Sequence, residues 1–328
     1  MSDLRSCFAR TTILVVGDLM LDEYVFGGVS RISPEAPVPV LDVKNRRYVP
    51  GGAANVAANL RSLGAHVRLA GAVGEDAAGG TLRSALLEAG IGDELLVPVR
   101  GRVTTAKTRV VAGQQQIVRF DSEERAPLHS ASIEILKANV SAAAPVCTVC
   151  VLSDYGKGLL SAPVCNWLIE CARAHKLKVI VDPKGLDFSK YRGCTLITPN
   201  LNEAAQASGV PIESERDLFE AGDQLLSLLP GTSVLVTRGS EGMTLFRQGK
   251  PPLAVAAAAR EVFDVVGAGD TAAAALSVSV AAGLTLETAT RLANIAAGIA
   301  VGRHGTVTVS IDDLLAHTDV KQLMDAEA

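Results

Sequence analysis

Asp264-Val265-Val266-Gly267-Ala268-Gly269-Asp270-Thr271, followed by AAAALSVSVAAG, is the stretch on which the reading of this chain turns. Small residues run straight into an alanine-rich segment with helical character. Gly267 and Gly269 allow the backbone to approach a ligand closely and to take unusual φ values. The start of the helix then offers unpaired N–H groups and the positive end of a dipole, which together make an anion site. Asp270 at this position has two readings. It is a plain N-cap, or it is a general base held beside a phosphate. The second reading suits phosphoryl transfer, where the acceptor hydroxyl loses a proton and fixed donors meet the charge on the transferred oxygens. Asp270 would then take the proton, and the N–H groups around Gly267, Ala268 and Gly269 would hold the phosphoryl oxygens.

Outward from this segment, aliphatic runs alternate with helical patterns. Strands are predicted at Thr12–Gly17, Val67–Val73, Cys147–Ser153, Lys178–Asp182, Thr195–Thr198 and Ser233–Thr237. Helices are predicted at Ala53–Leu63, Gly80–Ala89, Pro163–Ala174 and Glu215–Leu228, with Gly64 and Gly90 as stops. The alternation predicts an α/β fold, with a mostly parallel central sheet covered by helices on both faces. Two segments break it. Asp22–Val43 carries Pro34, Pro37 and Pro39, and Arg102–Phe120 reads as two strands around Gly113. They predict a small antiparallel flap at the sheet's edge, over about 22–43 and 102–120. The flap is either a lid that excludes water from a reactive phosphate or an edge hairpin without a catalytic role. Its unpaired edges would suit a dimer contact.

The 328 residues suit one α/β domain over 1–328, and a hydrophobic fraction of 48% supports a large core. With aromatics at only 4%, that core is aliphatic, as in buried parallel strands. The net charge of -4 comes with no basic stripe, which argues against nucleic acid. No signal-peptide pattern and no uncharged apolar run of about 18 residues is present, so a cytoplasmic protein without membrane contact is expected. Six irregularly spaced cysteines do not suggest a disulfide framework. Cys147 and Cys150 form a CxxC in a run that reads as a strand, where residues three apart face opposite ways.

Other segments gather polar groups at strand ends, where ligands bind in open α/β sheets. Pro50-Gly51-Gly52-Ala53-Ala54-Asn55 opens a helix, and Asn55 can both donate to and accept from sugar hydroxyls. Thr198-Pro199-Asn200-Leu201-Asn202-Glu203 follows a strand. Asn200 and Glu203 read either as a capping pair or as orienters of water on Mg²⁺, which keeps several waters. Thr237-Arg238-Gly239-Ser240-Glu241-Gly242 reads as a nucleotide loop, a hairpin turn, or both. Ser153-Asp154-Tyr155-Gly156-Lys157-Gly158 and Asp182-Pro183-Lys184-Gly185 place Lys157 and Lys184 where phosphates could be reached.

Taken together and in this order, these residues resemble the ribokinase-like (PfkB) carbohydrate kinase family. Gly51-Gly52-x-x-Asn55 and Gly267-Ala268-Gly269-Asp270 match its two signature regions, and Asn200-x-x-Glu203 its metal-associated motif. Within the family, Gly17-Asp18-x-Met20-Leu21-Asp22, Ser30–Val40 (SRISPEAPVPV) and Ser153–Gly158 (SDYGKG) are similar to the bacterial D-glycero-β-D-manno-heptose 7-phosphate kinases. The resemblance implies transfer of the ATP γ-phosphoryl to the anomeric hydroxyl, with Mg²⁺, in a homodimer joined through the β lid. The product would be the 1,7-bisphosphate used for ADP-heptose and lipopolysaccharide. It implies that Asp270 is the base and Gly267, Ala268 and Gly269 the anion hole. Asp18, Gly51, Gly52, Asn55 and Asp154 would face the sugar, with Arg109 and Lys157 near its phosphate. Asn200 and Glu203 would serve the metal, through water. Asn200, Lys184, Thr237, Gly239, Gly242 and Asn294 would bind the nucleotide.

The chain departs from the family in two places. Val265 follows Asp264 where Thr is common, and the chain ends at Ala328, where some relatives continue into a nucleotidyltransferase domain. A separate protein is then expected to perform that later step. Other readings are a kinase of this fold for fructose or a keto-deoxy sugar acid, and a non-catalytic sugar-binding protein. A dinucleotide oxidoreductase is disfavoured, because no GxGxxG opens a helix after the first strand.

Overall fold

The computed structural model describes residues 2–113, 115–259, 262–303 and 305–327; Gln114 of the expected flap and the terminal Ala328 lie outside them. The strands are β1 (Thr12–Gly17), β2 (Leu19–Ile32), β3 (Pro39–Gly52), β4 (His66–Gly74), β5 (Leu96–Val99), β6 (Thr105–Ala112), β7 (Gln115–Ser122), β8 (Val149–Ser153), β9 (Lys178–Asp182), β10 (Leu196–Ile197), β11 (Ser233–Thr237), β12 (Met243–Arg247) and β13 (Lys250–Val255).

Nine strands form one sheet in the order β13-β12-β11-β10-β9-β8-β1-β4-β5. From β11 to β5 every neighbour is parallel, and β12 and β13 complete one edge as an antiparallel ribbon. The aliphatic run of β1 explains its central place, because both of its faces are buried. Ile13 and Val15 join a core under helices Ala53–Ser62, Ala268–Ala281 and Leu286–Val301. Leu14 and Val16 join a second core under helices Ser130–Ala143, Ala162–Ala174 and Glu215–Leu228. Successive side chains of a strand point to opposite faces, so one short run feeds both layers.

The second sheet, in the order β3-β2-β6-β7, departs from the expected flap in three ways. Its strands extend over 19–52 and 105–122, because Pro34 and Pro37 fall in the turn between β2 and β3 and Pro39 only opens β3. It contains one parallel pair, β2 with β6. It also springs from inside the large sheet, since β2 starts at Leu19, directly beyond Asp18 and the end of β1, which is the third strand from the β5 edge.

Helix Ser130–Ala143 has no side-chain cap at its start, and its sequence gave no start signal. β5 carries Pro98, which an edge strand tolerates. Cys147 sits after the short 3-10 turn Ala144–Val146 rather than in a strand, with its thiol donating to Ala143 O (3.3 Å). Cys150 is in β8, and no disulfide joins any cysteines among the described residues. Burial pushes the Cys147 thiol up to about 11.

Helices Ala53–Ser62 and Ala268–Ala281 meet through alanines, and this close approach lets a short polar chain run between them. Asn59, fully buried, donates to Asn55 O (3.0 Å) and Asn55 Oδ1 (3.2 Å). Its own Oδ1 accepts from Thr271 Oγ1 (3.1 Å) and from the Val309 N–H (3.2 Å). Replacing one partner of buried hydrogen bonds strands the others at about 1–3 kcal/mol each. Asn59→Leu is therefore expected to lower stability by about 2–3 kcal/mol, read from the urea midpoint; a loss under about 0.5 kcal/mol would contradict this packing account.

Candidate active site

Helix Ala268–Ala281 starts from Gly267, whose φ of 80° is left-handed and favours glycine. A side chain there would also meet Asn55 Nδ2 at 3.0 Å. The N–H groups of Ala268, Gly269 and Asp270 belong to the first turn, which lacks intrahelical acceptors. A Cβ at Gly269 would meet nothing within 4 Å, so this turn is open to a ligand.

Asp270, in that first turn, is 9% exposed. Its Oδ2 accepts from Asn55 Nδ2 (2.6 Å), and its Oδ1 accepts from the Tyr155 hydroxyl. Burial pushes the carboxyl up to about 6, while the Tyr155 and Asn55 bonds pull it down. The charge of Asp22 raises it further and that of Lys107 lowers it. The structure thus brings Asp270, Asn55 and Gly267 together, and it adds Tyr155. Tyr155 stands in the SDYGKG segment, where no local pattern ties it to Asp270.

Several expected sugar-binding side chains have other partners. Asp18 is buried, and its carboxylate accepts the N–H groups of Tyr155 (2.9 Å), Lys157 (3.0 Å) and Leu159 (3.3 Å). It fixes the turn after β8. Asp154 accepts from Gly156 N, from Lys190 Nζ and from the Tyr191 hydroxyl, away from Asp270. Lys157 is paired with Glu123. Gly51 and Gly52 pack where a side chain would strike Asp22 Oδ2 at 2.5 Å or Asp18 O at 2.6 Å. They let β3 approach β2, so their role is structural as well as local to the site.

Arg109, expected at a phosphate, makes a buried ion pair with Asp22 (2.6 Å) and stacks over Tyr24. Tyr24 in turn shares a hydrogen bond with Thr306 Oγ1 (3.1 Å), and Gly305 N donates to Asp264 Oδ2 (3.1 Å). The small sheet is thereby tied to the residues just before Gly267. Lys107 forms no salt bridge among the described residues.

On the other side, Asn200 and Glu203 make a full capping box: Glu203 N donates to Asn200 Oδ1 (2.9 Å) and Asn200 N to Glu203 Oε2 (3.1 Å). Glu203 Oε1 also accepts from Lys184 Nζ (2.7 Å). Asp182, at the end of β9, is pushed well above the ordinary carboxylate range by burial, with Asp270 and Glu203 adding repulsion. Thr237 N donates to Pro199 O (2.9 Å), which joins the Asn200 and Thr237 loops. Gly242 has φ 90° and lies against the backbone of Val255–Ala257, while Asn294 Nδ2 donates to Ala256 O (2.7 Å). Gly242 and Asn294 thus hold one segment from two sides, and Gly239 is exposed beside it.

A buried carboxylate at the glycine-lined start of a helix, at the strand ends of a doubly covered sheet, fits a phosphotransferase of the ribokinase-like class. Residues 10–313 match the pfkB family carbohydrate kinase, and the chain belongs to that family. It is 50% identical over 305 residues to the bifunctional protein HldE of Azorhizobium caulinodans, covering 93% of this chain and 64% of that protein. It is 45% identical over 311 residues to the bifunctional protein HldE of Desulfatibacillum aliphaticivorans, covering 95% and 64%. The chain thus spans just under two thirds of the length of these curated relatives. Phosphofructokinase-2 from Escherichia coli in complex with potassium shares the fold (TM-score 0.78, 21% identity, 96% of this chain and 99% of that one). So does Arabidopsis thaliana ribokinase complexed with ribose and ATP (TM-score 0.71, 22% identity, 93% and 97%). No helix among the described residues is long and apolar enough to cross a membrane.

Removing one partner of a buried ion pair leaves an uncompensated charge, at about 3–5 kcal/mol. Arg109→Ala is expected to destabilise the protein by roughly that amount, and Asp22→Ala in the same chain to restore part of the loss. Equilibrium denaturation of both variants checks this; a stable Arg109→Ala protein that had lost only sugar-phosphate affinity would return Arg109 to the phosphate.

Proposed function

We propose that this chain transfers the γ-phosphoryl of ATP to the anomeric hydroxyl of D-glycero-β-D-manno-heptose 7-phosphate, giving the 1,7-bisphosphate for ADP-heptose and lipopolysaccharide synthesis. The observation that carries the chemistry is the buried Asp270 carboxylate at the glycine-lined start of a helix. The sugar assignment is supported by the SRISPEAPVPV and SDYGKG segments and by the similarity to bifunctional HldE proteins. The reaction belongs in the cytoplasm, where ATP is supplied.

Asp270, with its carboxyl near 6, is mostly ionised at neutral pH and accepts the proton of the attacking hydroxyl. The N–H groups of Gly269 and Asp270 take up charge on the transferred oxygens, beside that of Ala268, which donates to Val265 O (3.3 Å) and would have to turn from it to join them. Thr237, Gly239, Gly242, Asn294 and Lys184 bound the nucleotide cleft. The donor set fits a hydrated Mg²⁺ carried on the phosphates. No group of three or more acidic, His or Cys side chains suited to a metal occurs among the described residues. Asn200 and Glu203 already share their oxygens with backbone and Lys184, so they would hold the ion through water. Bound there, Mg²⁺ would neutralise phosphate charge.

The four-stranded sheet would act as lid and dimer surface. Val29, Ile32, Val43, Ile117, Val118 and Phe120 are exposed on its strands, an apolar display suited to a second copy. Phe120→Asp is expected to shift the protein from dimer to monomer in analytical ultracentrifugation; an unchanged dimer would place the contact elsewhere.

Asp270→Asn is expected to fold and bind ATP while losing about 10²–10⁴-fold or more in kcat; near-normal turnover would remove Asp270 as base. Mg²⁺-dependent ADP release should occur with the heptose 7-phosphate and not with fructose, ribose or a keto-deoxy sugar acid. Turnover confined to one of the others would discard the heptose assignment and keep the kinase chemistry.

A further inference from the structure

Tyr155 lies in the turn after β8, and the turn is unusually well fixed. One buried carboxylate, Asp18, accepts its N–H groups at Tyr155, Lys157 and Leu159. A second, Asp154, accepts the Gly156 N–H (2.8 Å) and is itself held by Lys190 and Tyr191. From this support the Tyr155 hydroxyl reaches Asp270 Oδ1, opposite the Asn55 amide on Oδ2.

We propose that Tyr155 is a positioning residue for the transfer: its hydroxyl holds the Asp270 carboxylate ionised and turned toward the acceptor. The proposal rests on Asp270 being the base. The phenol is suited to the task, because burial and the neighbouring Asp270 raise its own ionisation far above the ordinary range. It remains a neutral donor wherever the enzyme works. The other groups facing Asp270 do not replace it. Asn55, from helix Ala53–Ser62, serves the other oxygen. Lys107, on β6, favours the charged form, and Asp22, on β2, opposes it. Asp182, at the end of β9, is repelled by Asp270. The Asp270 carboxyl stands near 6 with the Tyr155 bond in place. A donor to the carboxylate stabilises the charged form, so losing it moves that value upward.

The test is the pH profile of kcat at saturating ATP and sugar phosphate. In wild type the rate should fall as pH drops through about 6. In Tyr155→Phe the acid limb should move up by about one pH unit. Activity would drop about fivefold at pH 6 relative to wild type, approach a tenfold loss at lower pH, and recover toward wild type at alkaline pH. ATP binding should stay within about twofold, because the bonds of Tyr155 go to Asp270 and Asp18 and not to the Asn200 or 237–242 loops; a loose site would instead lose rate evenly across pH. Where Tyr155→Phe fails to fold, replacing the four tyrosines by 3-fluorotyrosine gives a more acidic phenol in the unmutated chain and should move the limb down. An acid limb unmoved by either change, or an even loss at every pH, overturns the role of Tyr155. If Asp270→Asn stays active, or wild type has no limb near 6, the base assignment itself fails; an inactive Asp270→Asn with an unmoved Tyr155→Phe limb removes Tyr155 alone.

Discussion

A carboxylate taken out of water has to be kept charged, and the arrangement around Asp270 follows from that constraint. Burial alone favours the neutral acid, which cannot accept a proton. The start of a helix opposes burial with its dipole, and two side-chain donors oppose it further. Asn55 and Tyr155 occupy one oxygen each, yet a carboxylate has about four lone-pair sites, so room remains for an acceptor hydroxyl. A carboxyl near 6 is a weak enough acid to take a proton late in the transfer and a strong enough one to be free at neutral pH.

Each donor is placed by a different layer of the fold. Asn55 comes from a helix whose alanines let it lie against helix Ala268–Ala281, with Asn59 and Thr271 bridging the seam. Tyr155 comes from the end of β8, beside the central strand β1, and Asp18 just past β1 holds its turn. The four-stranded sheet starts at the next residue, so the Tyr155 turn and the small sheet share one root. The Asp22–Arg109 pair and the Tyr24–Thr306 bond then tie that sheet back toward Asp264 and Gly267. A shift of the small sheet would therefore be felt at the helix start that carries the chemistry.

The sequence displayed the large sheet plainly, because strands buried on both faces read as aliphatic runs. The Asp270 segment was equally plain, because glycines before an alanine-rich helix are a local pattern. The extent of the small sheet was not legible. Its long strands mix charged and apolar residues without a clean alternation, and the pairing of β2 with β6 joins residues 85 positions apart, as Met20 with Thr105. Partner choice was hidden for the same reason. Arg109 and Lys157 read as phosphate ligands, and only tertiary structure reveals Asp22 and Glu123 beside them. Asp18 reads as a sugar ligand, and only the fold brings three N–H groups onto its carboxylate. Tyr155 stood in a quoted motif, but its bond to Asp270 spans 115 positions and leaves no local signature.

The most direct test is a crystal structure with the heptose 7-phosphate and a non-hydrolysable ATP analogue, read for one distance. The account predicts the acceptor oxygen within about 3.2 Å of an Asp270 carboxylate oxygen, with the γ-phosphate at the Gly267–Asp270 helix start. An acceptor oxygen lying well beyond hydrogen-bond reach of Asp270, with both substrates seated, would contradict it.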